Sequence, residues 1–420
     1  MVDAFSRQGS ELYAEDVALS AIATQVGTPC YVYSRAIIES NWREYDLGFG
    51  GHPHAICYAV KANSNLEVLR LLADLGSWFD IVSGGELERV LLAGGSAGRV
   101  VFSGVAKTAE EMERAIGVGI HCFDVESVAE LQRLSRIAAR LGKVAPVALR
   151  INPDVDAGTH PYIATGLKET KFGIAIDDAI TTYRMAADTA NIQITGIAAH
   201  IGSQITESGP FIDALVRMLE LIGELENEGI TIRHLDIGGG LGIRYRDESP
   251  PGAREFIETL VDRVRDHRAD LKLYIEPGRS IVGNAGVLLT GVEYLKSNGD
   301  THFAVVDAGL NDILRPALYN AWQNIVAVQD NLDLRSCVYD VVGPVCETGD
   351  RLGSQRELAI EAGDILAIMD AGAYGHVMSS NYNSRPRPPE VLVDGGEFHI
   401  VRRRETISDM TAAESAPPQD

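Results

Sequence analysis

Ala55-Ile56-Cys57-Tyr58-Ala59-Val60-Lys61-Ala62-Asn63 is the stretch that decides the fold. Residues 55–60 form a compact apolar run, as expected of a strand buried on both faces. The run ends at Lys61, and a helical pattern over 66–75 follows. A lysine at such a junction can be held partly out of water. Desolvation favours the neutral amine that Schiff-base chemistry requires. Taken alone, a lysine at a strand end is an ordinary solvated residue; the rest of the chain gives this one its weight.

Working outward, short apolar strands alternate with amphipathic helices from about residue 35 to 280. Further strands are expected at 79–83, 100–104, 121–125, 146–151, 194–201, 234–237 and 273–275. Helical spacing marks 86–92, 109–116, 128–141, 211–225 and 253–264, and Thr108 with Glu111 reads as a capping box. Eight strand–helix units over about 250 residues predict an α/β fold built on a (β/α)8 TIM-type barrel. A doubly wound sheet would show a Gly-x-Gly-x-x-Gly turn after its first strand, where this chain has Lys61-Ala62-Asn63. Beyond Gly283 the pattern changes to β runs separated by Gly, Asp and Asn turns, which predicts a C-terminal antiparallel β domain. The expected division is a barrel over 35–280, a β domain from 1–34 and 281–410, and a disordered tail over 411–420.

The length of 420 residues exceeds what one core usually organises, in keeping with two domains. A net charge of −22 argues against nucleic acid or an anionic membrane surface as partner. Five cysteines, widely spaced and without a Cys-x-x-Cys pair, argue against a disulfide framework or a zinc site. No metal is expected. Cys57 and Cys122 sit in apolar runs and read as core. With no signal peptide and no membrane-length apolar run, a reducing, cytoplasmic setting is expected.

In a (β/α)8 barrel the chemistry lies at the C-terminal ends of the strands. There this chain places Lys61, Asp80, Arg150, His200, Ser203, Gly238-Gly239-Gly240 and Glu276-Pro277-Gly278-Arg279. The triple glycine can bring bare N–H groups onto a phosphate, with Ser203 and Gly278 adding donors. Glu276 can hold a protonated ring nitrogen, or else pair with Arg279 or Arg150. His200 can stack on a flat cofactor. An amine, a ring-nitrogen partner and a phosphate cradle together suit pyridoxal 5′-phosphate (PLP), with Lys61 as the covalent attachment point.

Tyr58-Ala59-Val60-Lys61-Ala62-Asn63, His200-Ile201-Gly202-Ser203-Gln204, the triple glycine and Glu276-Pro277-Gly278-Arg279 resemble the alanine-racemase-fold PLP decarboxylases. These act on diaminopimelate, ornithine or arginine. Gly309-Leu310-Asn311-Asp312-Ile313-Leu314-Arg315-Pro316-Ala317-Leu318-Tyr319 is most similar to the diaminopimelate branch. Arg315 offers a planar fork for a second carboxylate, and Tyr319, one helical turn on, adds a hydroxyl. The resemblance implies that Cys346, in Val345-Cys346-Glu347-Thr348, is the general acid at the α-carbon. It also implies that Glu347 meets the distal ammonium and that Tyr374 contacts cofactor and substrate. The cysteine loop would enter the neighbouring subunit's site, which implies a homodimer. Arg279 is open between cofactor and substrate. The alternatives are an ornithine or arginine decarboxylase of this fold, a non-catalytic PLP-binding protein, or a racemase using Tyr374 as second base.

Overall fold

A computed structural model of the chain describes residues 5–156, 166 and 170–414. The chain divides into two compact units. One runs from Glu39 to Ile281, apart from Tyr245–Asp247; the other takes the chain through Ile38, the segment Tyr245–Asp247 and everything from Val282 on.

The first unit is a closed parallel barrel. Its strands are β1 (His54–Ala59), β2 (Trp78–Ile81), β3 (Val100–Phe102), β4 (Cys122–Val125), β5 (Ala145–Asn152), β6 (Ile192–Ala198), β7 (His234–Asp236) and β8 (Lys272–Ile275). Each pairs in parallel with its neighbours, and β8 closes on β1 through the register Leu273↔His54, Tyr274↔Ala55 and Ile275↔Ile56. The predicted strand count is met, with ends shifted by a few residues because several loops begin earlier than the apolar pattern does. The Thr108–Glu111 capping box is formed, and Ser83 and Ser127 cap their helices in the same sense.

Alternation along the strands sorts the barrel interior by height. Trp78 and Asp80, His234 and Asp236, and Tyr274 and Glu276 are pairs two residues apart, so each pair shares one side of its strand. The N-terminal ends carry rings: His234 stacks on Tyr274 with centroids 4.4 Å apart, and Trp78 meets His121 edge-on at 4.6 Å. The C-terminal ends carry acids. The middle is small and apolar, with Cys122, Ala148 and Ala198 in one cluster. Cys57 and Cys122 are buried, and all five cysteines are free thiols.

The second unit is a nine-stranded sheet with a small three-stranded sheet from the N-terminal segment. Its spine is the 13-residue strand Gly286–Asn298, which pairs antiparallel with Thr301–Val306, Ile365–Ile368 and Cys30–Ser34. The antiparallel expectation holds for most of the sheet. Two pairs are parallel instead: Thr301–Val306 with Cys337–Val342, and Glu390–Asp394 with Cys30–Ser34. The chain crosses over before each returns, which a local turn pattern does not reveal. Leu12, Ile22, Val32, Val287, Leu289 and Val391 form its core. The segment expected as a disordered tail begins at Thr411, the last residue of a helix over Ile407–Thr411; residues 415–420 lie outside the described residues. No helix among the described residues is long and apolar enough to cross a membrane.

The ring cluster under the barrel makes a pH prediction. Burial holds His234 down at about 3 and His121 at about 4, with Lys272 adding repulsion. In the unfolded chain both titrate near about 6.5. Below that value the unfolded chain binds protons that the folded chain refuses. The stability supplied by the neutral rings is therefore present above about 6.5 and lost as pH falls toward about 3. His234→Gln is expected to flatten the acid limb of the unfolding free energy against pH, read from urea titrations, by up to about 1.4 kcal/mol per pH unit. An unchanged slope would show that His234 is protonated in the folded state.

Candidate active site

Lys61 sits in a short 3-10 turn, Val60–Ala62, directly after β1. Its Nζ donates to Asp80 Oδ2 at 2.6 Å, an ion pair between a half-buried ammonium and a fully buried carboxylate. The expectation of a lysine poised mainly by desolvation is thus modified. Asp80, at the end of β2, holds the amine and is placed to receive a proton from it. The other oxygen, Asp80 Oδ1, is buried and has no hydrogen-bond partner among the described residues.

Glu276 lies one residue past β8 and is buried. It forms an acid cluster with Asp124 of β4 and Asp236 of β7, whose ligand-type atoms all lie within 4.8 Å of one another. The Ser103 hydroxyl is 3.2 Å from Glu276 Oε1 and 3.3 Å from Asp124 Oδ2. Burial first, and then mutual repulsion, pushes Glu276 and Asp124 well above the usual carboxylate range. Asp236 is pushed up to about 7, chiefly by burial, with the Gly238 N–H opposing it. Of the arginines considered for Glu276, Arg150 pairs with Glu126 at 2.9 Å, and Arg279 donates to the Ser203 hydroxyl at 3.1 Å.

His200 follows β6. Its Nδ1 accepts from the Gly239 N–H at 3.1 Å, which leaves the proton of a neutral ring on Nε2. Burial, then the charges of Arg150 and Lys61, holds the ring well below the ordinary histidine range. It is a neutral, flat surface at neutral pH.

The triple glycine is used differently from the expectation. Gly238 N–H donates to Asp236 Oδ1 at 2.8 Å, so two of its three amides already have acceptors inside the protein. The missing side chains serve close packing. A Cβ on Gly239 would stand 2.0 Å from the Glu276 carbonyl oxygen, and one on Gly240 2.3 Å from that of Gly202. Gly240 also has φ +117°, where a side chain is strained. Gly278 is packed likewise, 2.9 Å from the Ala62 Cβ.

The remaining sequence-predicted residues lie in the second unit. Arg315 opens the five-residue helix Arg315–Tyr319, so Tyr319 shares that helix as expected. Arg315 is buried, its guanidinium lies over the Tyr245 ring at 4.1 Å, and it donates to Gln323. Cys346 and Glu347 are exposed on a loop tied to Asp350, which accepts from the amides of Leu310 and Val345 at 2.6 and 2.7 Å. The Tyr382 hydroxyl donates to Glu347. Tyr374 has φ 54°, in the left-handed region.

Sequence reasoning missed Asp124, Asp236, Ser103 and Gln323. The signal for the two aspartates was available: each is a lone carboxylate inside a short apolar strand, and a charge there is costly without a purpose.

The amine, the acid cluster and the neutral ring fit PLP by their chemistry. A protonated ring nitrogen would bring the positive charge that burial denies Glu276 and its neighbours. Lys61 would hold the aldehyde carbon, and Ser203, Arg279 and the Gly240 N–H would meet the phosphate. Residues 35–283 match the family described as pyridoxal-dependent decarboxylase, pyridoxal binding domain. The diaminopimelate decarboxylase of Pseudomonas aeruginosa is 59% identical over 418 residues, covering 100% of both chains. The chain belongs to the diaminopimelate decarboxylase family. The Haemophilus influenzae member is 54% identical over 98% of this chain and 99% of its own. Among solved structures, the M. jannaschii diaminopimelate decarboxylase superposes with TM-score 0.94 at 38% identity, covering 99% of this chain and 98% of its own. The Helicobacter pylori diaminopimelate decarboxylase, solved with L-lysine, gives 0.90 at 40% identity over 94% and 99%. PLP is the cofactor of this family, and the chain is a carboxy-lyase.

Gly239→Ala is expected to force the Glu276 backbone aside and lower PLP retention on dialysis by tenfold or more, on the order of one to two kcal/mol. Gly252→Ala, where a Cβ meets open space, is the control. Equal retention in both variants would show that the glycine turn does not support the cofactor.

Proposed function

We propose that this enzyme removes CO2 from the D-configured carbon of meso-diaminopimelate and releases L-lysine. The observation that carries the reading is identity to diaminopimelate decarboxylases across the whole chain, both units included. PLP, when bound, supplies an electron sink that makes an α-carbon willing to lose a carboxylate.

The protein's own residues do the rest. Lys61 would hold the cofactor, and Asp80, which accepts from its Nζ at 2.6 Å, would take and return the proton of that amine. Glu276, backed by Ser103, Asp124 and Asp236, would face the ring nitrogen and favour its protonated form. His200 presents its neutral ring to the cofactor. Arg315 and Tyr319 take the distal carboxylate, and Glu347 the distal ammonium. Tyr374 contacts cofactor and substrate. Cys346 donates the proton that replaces CO2 at the α-carbon, its S–H serving as the general acid.

An ornithine or arginine substrate lacks the second carboxylate and would leave the buried Arg315 without its anion. Wild-type enzyme is therefore expected to release CO2 from diaminopimelate far faster than from ornithine. Arg315→Ala is expected to lower kcat/KM for diaminopimelate about a hundredfold or more, the effect of losing a charged contact. Faster ornithine turnover would overturn the substrate choice, and near-normal kcat/KM in Arg315→Ala would make that arginine structural.

The proposal includes a cytoplasmic homodimer. Five free thiols suit a reducing compartment. The exposed Cys346 loop, organised by Asp350 yet presented outward, suits insertion into a second copy's site. Lys61→Ala and Cys346→Ala homodimers, each inactive, are expected to regain partial activity when dissociated together and allowed to reassemble. No regained activity in a population shown to contain mixed dimers would place lysine and cysteine of one site on the same chain.

A further inference from the structure

Gln323 lies in an irregular segment after the Arg315–Tyr319 helix and is completely buried. Its carboxamide nitrogen donates to the Met369 carbonyl at 2.6 Å and to that of Asp370 at 3.3 Å. Two acceptors on one end settle which end is nitrogen, so the oxygen is the end that faces Arg315 and accepts from its Nη1. The backbone of Gln323 is held as well. Arg356 Nη2 donates to its carbonyl at 2.9 Å. The Arg356 guanidinium lies 3.2 Å from the Trp322 ring centroid, and Arg246 lies over the same ring at 4.4 Å. Arg315 is thus gripped at one nitrogen by Gln323 and across its face by Tyr245.

We propose that Gln323 is a positioning residue that aims the Arg315 fork at the distal carboxylate of the substrate, and that its neutrality preserves the preference for that carboxylate. The inference rests on the reading of Arg315 as the carboxylate receptor. An amide oxygen fixes the orientation of a guanidinium without adding negative charge. A glutamate in the same place would keep the geometry but compete with the substrate for the positive charge. It would also face two backbone carbonyls with no proton to offer them. The carboxamide has a second consequence. By bonding Asp370 it ties Arg315 to the loop that carries Tyr374, so two substrate contacts share one anchor.

The test compares PLP-loaded wild type, Gln323→Glu and Gln323→Met. The readouts are kcat and KM for diaminopimelate, and inhibition by L-lysine, which keeps one carboxylate, and by cadaverine, which has none. Gln323→Glu is expected to raise KM and the lysine inhibition constant together by about tenfold or more, with kcat changed less than about threefold and cadaverine inhibition unchanged. Gln323→Met, which removes the acceptor without adding charge, is expected to show the same split at smaller size, and it decides the matter should the glutamate variant not fold. Values within about twofold of wild type for lysine, or a parallel loss for lysine and cadaverine, would overturn the proposal. Failure of wild type to turn over diaminopimelate would instead remove the functional reading beneath it.

Discussion

Closure of the barrel between its first and last strands is the constraint on which the site depends. The pairing of His54–Ala59 with Lys272–Ile275 brings Lys61 into the electrostatic reach of Glu276, residues more than two hundred positions apart in the chain. The contact continues past the strands. Ala59 donates its N–H to the Pro277 carbonyl at 3.0 Å, and Gly278 packs on Ala59 and Ala62. Glycine is required there because the two strand ends nearly touch. The amine and the carboxylate reach one mouth through backbone pairing and need no direct bond to each other.

The barrel interior separates what holds it together from what it does. Rings of histidine, tryptophan and tyrosine fill the N-terminal ends, where burial keeps both histidines neutral. Carboxyls fill the C-terminal ends, where the same burial makes negative charge costly. A small apolar layer lies between. The acid layer does nothing obvious for stability, since three carboxyls within 4.8 Å of one another repel when ionised. Its arrangement makes sense if a cation is brought to it, and a protonated cofactor ring is such a cation.

The second unit uses buried polar groups to present exposed ones. Asp350 draws in the amides of Leu310 and Val345 and leaves Cys346 and Glu347 facing outward. Gln323 and Tyr245 do the equivalent for Arg315. In each case a neutral or fully bonded anchor sets the geometry of the group beside it. Asp312 follows the same rule, accepting from Gly309 N–H and Asn311 at 2.9 and 3.0 Å within the motif that carries Arg315.

Strand count, barrel architecture, the lysine after the first strand and the change to β structure beyond residue 283 were all legible in the chain itself. They are written in local signals: apolar period, strand length, turn residues and caps. The motifs around Lys61, His200, Glu276 and Arg315 pointed to the family for the same reason, because chemistry demands particular residues at short spacings. Tertiary structure alone decided which groups met. Lys61 is held by Asp80, the triple glycine spends two amides on Asp236 and His200, and Arg150 is claimed by Glu126. Asp124 stands behind Glu276, and Gln323 grips Arg315. Each of these is a contact across a sheet or between loops, fixed by strand register and the packing of backbones without side chains. A linear pattern records which residues are present and carries no term for the distance between them.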